Sequence, residues 1–223
     1  ISKSIRKAER TCNFQITNAI VSIAGSHISA INNKATVGVV GGSIDAYDIR
    51  RVNDAAKAVP IPNNRMILHT IQRSYVVDGL ETIRNPLGMY GQRLDLEAHI
   101  ITGAASSVEN LKQCISANEI EVHSFVLNSL SAAAAVLSEL EKQSGVLICD
   151  LGAGTADLAI YYNNDVWHTT SIPIGGAHIT NDIAQIFHLP PNEAEEVKKT
   201  HGFALPELIG EEEFFYARTF GQE

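Results

Sequence analysis

The chain has 223 residues, of which 45% are hydrophobic and 19% charged, and its formal net charge at pH 7 is −8. This composition is typical of a globular protein with hydrophobic cores and excludes a predominantly disordered chain. The negative charge argues against a partner role for nucleic acid, because domains that bind nucleic acid usually present a basic face.

The first half of the chain is predicted to contain two helices and four strands. They are a helix end at 1–12, strands at 18–24 and 28–40, a helix from Ser43 to Val59, and strands at 66–78 and 92–102. Ser43 is the expected N-cap of the helix, and Pro60 ends it. A polar turn is expected at Asn32–Asn33. The last two strands are predicted to pair in antiparallel fashion, which gives a small α+β unit.

The second half alternates helices and strands. The predicted elements are helices at 108–116 and 130–142 around a strand at 121–127, a glycine-rich hairpin at 145–162, a strand at 167–173, and helices at 179–187 and 193–200. This alternation favours a layered α/β architecture with a smaller α+β insertion. No apolar run is long enough to span a membrane, and no signal peptide is visible. Three cysteines, at 12, 114 and 149, are predicted to be buried thiols of a reducing compartment.

The hairpin Gly145–Tyr162 reads GVLICDLGAGTADLAIYY and carries the clearest chemical signal. Two apolar strands flank a glycine-rich turn, with Asp150 before the turn and Asp157 after it. Glycine lets backbone N–H groups approach a phosphate closely. Asp150 is predicted to hold a hydrated Mg²⁺, which favours one or two carboxylates together with waters and phosphate oxygens. The alternatives are an Asp150 that caps a strand end, and an Asp157 that either stabilises the turn or orients a neighbouring ligand.

Other distinctive stretches follow one another along the chain. They are IAGSHI (23–28), RMILHTIQRSYVVDG (65–79), NPLGMYGQRLDLEAHIITG (85–103), HTTSIPIGGAHITNDIA (168–184) and AEEVKKTHG (194–202). Together with the hairpin, they resemble the FtsA family of bacterial cell-division proteins, which belongs to the actin and heat-shock chaperone ATPase superfamily. The middle segments are specific to that family, because they belong to its own inserted subdomain. The hairpin alone indicates only the superfamily.

The resemblance implies ribonuclease H-like half-domains, called IA and IIA, that close on a nucleotide. The implied layout is IA at 1–24, the inserted α+β subdomain IC at 25–103, IA again at 104–144, IIA at 145–189, and the start of IIB at 190–223. It further implies that this chain is an internal fragment. A first phosphate hairpin would precede it, and an adenine-binding glycine motif and a C-terminal amphipathic membrane helix would follow it.

The resemblance also implies which residues meet ATP and Mg²⁺. The phosphates would be lined by Gly152, Ala153, Gly154 and Thr155 of the turn and by the glycine pair Gly175 and Gly176 at a helix start. Glu195 and Lys198 would reach the nucleoside from a further helix. The alternatives without a ligand-binding role are an ordinary strand-to-helix turn at Gly175–Gly176 and a solvated i,i+3 ion pair between Glu195 and Lys198.

Two positions indicate ATP binding with weak or absent hydrolysis. Many relatives carry glycine where Ala153 stands, and alanine would strain the turn by about 1 kcal/mol if that position requires a positive φ. Asn128 occupies the place of a residue that orients water, and an amide is a poor general base.

The resemblance implies a cell-division protein that links FtsZ filaments to the inner membrane, at its cytoplasmic face at the division site. It would be at most a weak ATPase, would self-associate into filaments, and would recruit other division proteins through subdomain IC. One alternative is a sugar or acid kinase of the same superfamily, for which no persuasive substrate acid or base is found. The other is a pilus-assembly relative, against which the motifs of the inserted subdomain argue.

Overall fold

A computed structural model describes residues 1–80, 82–205, 207, 209, 214–217 and 219. The chain divides into two compact units: a larger unit of residues 1–150 and 157–172, and a smaller unit of residues 151–156 and 173–223. Parts of the predicted subdomain IIB, including residues 210–213 and 220–223, lie outside the described residues. The predicted subdomain boundaries differ from these two units and stay predictions.

Seven helices and nine strands are formed within the described residues. The helices are α1 Ser2–Cys12, α2 Ala46–Lys57, α3 Ala105–Ser116, α4 Asn128–Val136, α5 Glu139–Ser144, α6 Gly176–Phe187 and α7 Pro191–His201. The strands are β1 Asn18–Ile23, β2 Ser29–Gly38, β3 Arg65–Val77, β4 Thr82–Ile83, β5 Arg93–Ala104, β6 Glu121–Leu127, β7 Val146–Leu151, β8 Ala156–Tyr162 and β9 Asp165–Ile172. Among the described residues, every helix is too short or too polar to cross a lipid bilayer.

The central element of the larger unit is a four-stranded sheet in the order β2-β5-β3-β4. The predicted antiparallel pairing of the two long strands is confirmed by β3 and β5. Helix α2 covers one face, where its Val52 and Ala56 are fully buried against Leu94 and Leu96 of β5. Burying a valine or leucine side chain stabilises a fold by roughly 1.5–3 kcal/mol, so this contact contributes strongly to the stability of the inserted region.

Two local predictions in this region are wrong. The helix begins after Asp45, not Ser43, because the Asp45 carboxylate accepts the amides of Tyr47 and Asp48 while Ser43 pairs with Tyr90 in an antiparallel bridge. A residue held in such a pairing has an extended backbone and leaves the capping role to the next polar side chain.

Asn32 and Asn33 form no turn but continue β2, opposite His99 and Ala98 of β5. Both side chains are hydrogen-bonded within the fold. The Asn32 side-chain amide donates to the Trp167 carbonyl, and the Asn33 side-chain amide donates to the Ala56 carbonyl.

The remaining strands form a parallel β1–β6 pair and a three-stranded sheet in the order β7-β8-β9. Helix α4 packs on the three-stranded sheet, where its Ala133 contacts Ile148, Ala159 and Val166. Cys149 follows buried Ile148 on β7 and is exposed, because successive strand side chains alternate between faces. The prediction of buried thiols is wrong for all three cysteines.

A buried polar network connects the four-stranded sheet to β9. His99 is 1% exposed, and its Nδ1 lies 2.6 Å from Asn32 Oδ1 while its Nε2 lies 2.9 Å from Thr169 Oγ1. Because an amide oxygen only accepts, Nδ1 carries the proton and Nε2 accepts from the threonine hydroxyl. Burial, with smaller contributions from His168 and Arg73, lowers the pKa of His99 to about 4.

Candidate functional site

The turn between β7 and β8 is closed by one backbone hydrogen bond, from the Gly152 amide to the Thr155 carbonyl at 2.8 Å. Gly152, Ala153 and Gly154 are exposed to solvent. Neither the two glycines nor Ala153 has a positive φ, so the strain that was expected of alanine at this position does not arise. The turn therefore presents an exposed, unstrained backbone that a ligand can approach.

Helix α6 begins directly beside this turn, within the smaller unit. The Gly176 amide donates to the Gly152 carbonyl at 3.0 Å, and the Ala177 amide donates to the Ala153 carbonyl at 2.8 Å. A side chain at Gly175 has no room, since a Cβ there would lie 2.5 Å from the Gly152 carbonyl oxygen. The predicted glycine pair is thus the place where the turn and the helix meet.

This contact qualifies the expectation that the first amides of α6 bind phosphate. The amides of Gly176 and Ala177 are already donating to carbonyls of the turn, so they serve to hold the turn. Phosphate binding by these two amides would require the turn to move. The Gly152 amide is likewise engaged, with the Thr155 carbonyl, whereas Ala153 and Gly154 are exposed to solvent.

Helix α7 contributes Glu195 and Lys198, which form an ion pair at 2.6 Å. Lys198 Nζ also donates to the Gly176 carbonyl at 3.0 Å and to Thr180 Oγ1 at 2.8 Å. Lys199 reaches the other carboxylate oxygen of Glu195 at 3.2 Å. Hydrogen bonds from Lys198, Thr180 and Lys199 lower the pKa of Glu195 to about 2. The pair is therefore tied to α6 rather than simply solvated.

Asp150 and Asn128 belong to the larger unit, where they contact each other. The Asn128 side-chain amide donates to Asp150 Oδ2, and Asn128 Oδ1 accepts from the Ser22 hydroxyl at 2.8 Å. Ser22 also lies 3.2 Å from the Ser131 hydroxyl, whose proton goes to the Asn128 carbonyl. Asn128 is the first residue of α4, so three elements hold this amide in place.

The carboxylate of Asp150 suits the predicted Mg²⁺. One of its oxygens accepts from Asn128, which orients the group and leaves the other oxygen for an ion. Among the described residues, no cluster of three or more His, Cys, Asp or Glu side chains forms a metal site. A single carboxylate is nonetheless enough for Mg²⁺, whose remaining ligands are usually waters and phosphate oxygens.

Asp157 lies on β8 and is only 3% exposed. A ligand at the surface would reach it only through another residue, which is compatible with both predicted roles, stabilising the turn and orienting a neighbouring ligand. Sequence reasoning did not single out Ser22 or Thr180. Ser22 has no local signal, because Asn128 lies 106 residues away along the chain. Thr180 has a weak one, since it follows Gly176 by one helical turn.

Two protein-family models match this chain. The model for the SHS2 domain inserted in FtsA matches residues 25–102, and the model for cell division protein FtsA matches residues 147–222. Between them they cover nearly all of the four-stranded sheet and of the hairpin, together with α6 and α7.

Curated relatives extend the similarity to nearly the whole chain. Cell division protein FtsA of Pseudomonas aeruginosa is 40% identical over 210 residues, which cover 94% of this chain and 50% of that protein. FtsA of Bacillus subtilis is 35% identical over 223 residues, which cover 99% of this chain and 51% of that protein. The chain thus spans about half the length of these relatives.

A solved structure shares the fold at low sequence identity. The PilM-PilN type IV pilus biogenesis complex aligns with a TM-score of 0.61 and 14% identity, over 90% of this chain and 56% of that one. The predicted fold class, an actin-like α/β fold with an inserted small α+β subdomain, is confirmed.

Proposed function

Since the chain belongs to the FtsA family of cell-division proteins, we propose that it binds ATP with Mg²⁺ and acts as a nucleotide-dependent assembly protein in division. In this proposal the turn 152–155 meets the phosphates, and the Gly175–Gly176 segment adjoins them at the start of α6, where the Gly176 amide holds the turn. Asp150 holds the metal ion. Glu195 and Lys198 lie at the nucleoside end, as the resemblance implies.

One observation carries the nucleotide proposal: the glycine turn is held against the start of α6 with no space for a side chain at Gly175. Such close backbone packing orders the turn before any ligand arrives. An ordered, exposed backbone loses little conformational freedom when it binds an anion, so binding costs less than it would for a flexible loop.

The arrangement around Asp150 supports the metal role. A bound Mg²⁺ would supply charge neutralisation at the phosphates. The protein's part is to fix the carboxylate, which Asn128 does through its amide while Ser22 fixes Asn128 in turn. A chain of hydrogen bonds to a ligating carboxylate is the usual way in which proteins orient such a ligand.

The chemistry of Asn128 favours binding over turnover. Its side chain donates to Asp150 and accepts from Ser22, and an amide is a poor general base for an attacking water. We therefore propose at most a weak ATPase, on the basis of Asn128. Ala153 does not contribute to this expectation, because its backbone is unstrained.

The inserted region supplies a surface suited to protein contacts. Val40, Leu87 and Tyr90 are 79%, 55% and 83% exposed, on two loops that backbone hydrogen bonds join side by side. Exposed apolar side chains that cluster are typical of interaction sites. We propose that this surface recruits division proteins, and that the whole protein self-associates and links FtsZ filaments to the inner membrane at the division site.

The test uses the full-length protein. We expect it to bind Mg·ATP, to form filaments on lipid and to recruit FtsZ to vesicles. Asp150→Asn is the matched variant, because it keeps the shape of the side chain and removes the charge that the metal needs. Folded protein that fails in all three assays would overturn the proposal.

A further inference from the structure

Thr180 lies at the centre of a contact between α6 and α7 that sequence reasoning did not find. It is 7% exposed, and its hydroxyl lies 2.5 Å from Glu195 Oε2, 2.8 Å from Lys198 Nζ and 3.1 Å from the Gly176 carbonyl oxygen. We call Thr180, Glu195 and Lys198 the interhelix clamp.

The direction of each hydrogen bond in the interhelix clamp follows from the number of protons. An ammonium group only donates, so Lys198 donates to the hydroxyl and also to the Gly176 carbonyl. The hydroxyl has one proton, and the short contact to the Glu195 carboxylate takes it. Thr180 therefore bonds to both charged members of the ion pair.

The interhelix clamp reaches the phosphate turn through the backbone. Lys198 holds the carbonyl of Gly176, and the amide of the same residue holds the carbonyl of Gly152. The next residue repeats the contact, from the Ala177 amide to the Ala153 carbonyl. An unbroken series of hydrogen bonds thus runs from α7 through the first turn of α6 to the turn 152–155.

We infer that Thr180 is a positioning residue, which holds the interhelix clamp against the start of α6 and so fixes the phosphate turn. The inference rests on the proposed ATP binding for its functional consequence. It differs from the nucleoside role expected of Glu195 and Lys198, because here Lys198 holds the Gly176 carbonyl while Glu195 bonds to Lys198 and Thr180.

The test compares three variants of the full-length protein. Thr180→Val removes the hydroxyl at nearly constant volume, and Thr180→Ser restores it. Thr200→Val is the matched control, because Thr200 is exposed on α7 and its hydroxyl bonds only within that helix, to the Glu196 carbonyl. Three quantities are measured: amide hydrogen exchange at Gly176 and Ala177 without ligand, the Kd of Mg·ATP, and the Kd of Mg-tripolyphosphate.

We expect Thr180→Val to speed exchange of the two amides at least fivefold and to weaken ATP and tripolyphosphate by the same factor, about tenfold. Thr180→Ser and Thr200→Val should remain within twofold of the unsubstituted protein. Equal loss for both ligands is the signature of a displaced phosphate turn, since tripolyphosphate has no nucleoside.

Two results would overturn the inference. Unchanged amide exchange in Thr180→Val would show that the hydroxyl does not position α6, whether or not ATP binds. Weaker ATP binding with unchanged tripolyphosphate binding would assign the clamp to the nucleoside instead. If the unsubstituted protein binds neither ligand while exchange responds as expected, the proposed nucleotide binding fails and the positioning contact stands.

Discussion

Replacing Gly175 by alanine tests the packing of the phosphate turn on α6. A Cβ at this position would lie 2.5 Å from the Gly152 carbonyl oxygen and 2.6 Å from that of Ala153. Ordinary contact begins near 3.4 Å, so the turn must retreat by about 0.9 Å. The φ of Gly175 is −160°, an extended value that alanine adopts freely, so the cost is purely one of contact.

The size of the effect follows from the two hydrogen bonds at this contact. Retreat by this distance would lengthen the bonds from Gly176 to Gly152 and from Ala177 to Ala153, now 3.0 and 2.8 Å, beyond useful range. Each such bond is worth about 1 kcal/mol net, so we expect a loss of about 2 kcal/mol. This agrees with the roughly 1–3 kcal/mol that overpacking usually costs.

Gly154→Ala is the matched control, because a Cβ at Gly154 meets nothing within 4 Å and its φ is not positive. Both substitutions reduce the freedom of the unfolded chain equally, so their difference isolates the steric term. Urea unfolding followed by circular dichroism gives the free energies, and hydrogen exchange at Gly176 and Ala177 locates the change. Equal stability and equal amide protection in the two variants would refute the packing.

Three further predictions concern the larger unit. The free energy of unfolding should fall by up to about 3 kcal/mol as pH decreases from 6.5 to 4. The pKa of His99 is lowered to about 4 in the folded protein, so the unfolded chain binds more protons in this pH range. A His99→Gln variant should show a flatter dependence of the free energy of unfolding on pH. Leu96→Ala, at a fully buried position, should cost about 2–5 kcal/mol in urea unfolding, whereas Leu80→Ala, at 79% exposure, should change stability by less than about 0.5 kcal/mol. Asn128→Ala should weaken Mg·ATP about tenfold by calorimetry and Ser22→Ala should weaken it less, since the serine acts only through the asparagine; equal affinities in all three proteins would remove Asn128 from the site.

Sequence patterns predicted the helices and strands whose formation depends mainly on neighbouring residues. The long β-rich segments became β3 and β5 in antiparallel pairing, and the glycine pair became the start of α6. Both follow from properties that neighbouring residues share, namely alternation of apolar side chains and the small size of glycine. The assignments of the site residues to ATP and Mg²⁺ remain predictions.

Features set by distant contacts were out of reach. Ser43 does not cap α2 because it pairs with Tyr90, which lies far along the chain. Asn32 belongs to β2 because it pairs with His99 of β5. The cysteine error has a different cause, since composition does not reveal which face of a helix or strand is covered: Cys12 and Cys114 lie on α1 and α3, and Cys149 lies on β7. The Thr180 contact depends on how α7 packs on α6, which no single-sequence pattern specifies.

The ends of the four-stranded region are neighbours in space. Ser29, where β2 begins, pairs with Thr102, near the end of β5, while β1 and β6 pair directly with each other outside this region. The chain therefore enters and leaves this region at one place, but the region is also bound to its surroundings, since the Leu127 amide of β6 donates to His69 Nε2 and His99 Nε2 accepts from Thr169 of β9. A graft of this region between proteins, spliced at 29 and 102, would have to carry both contacts with it.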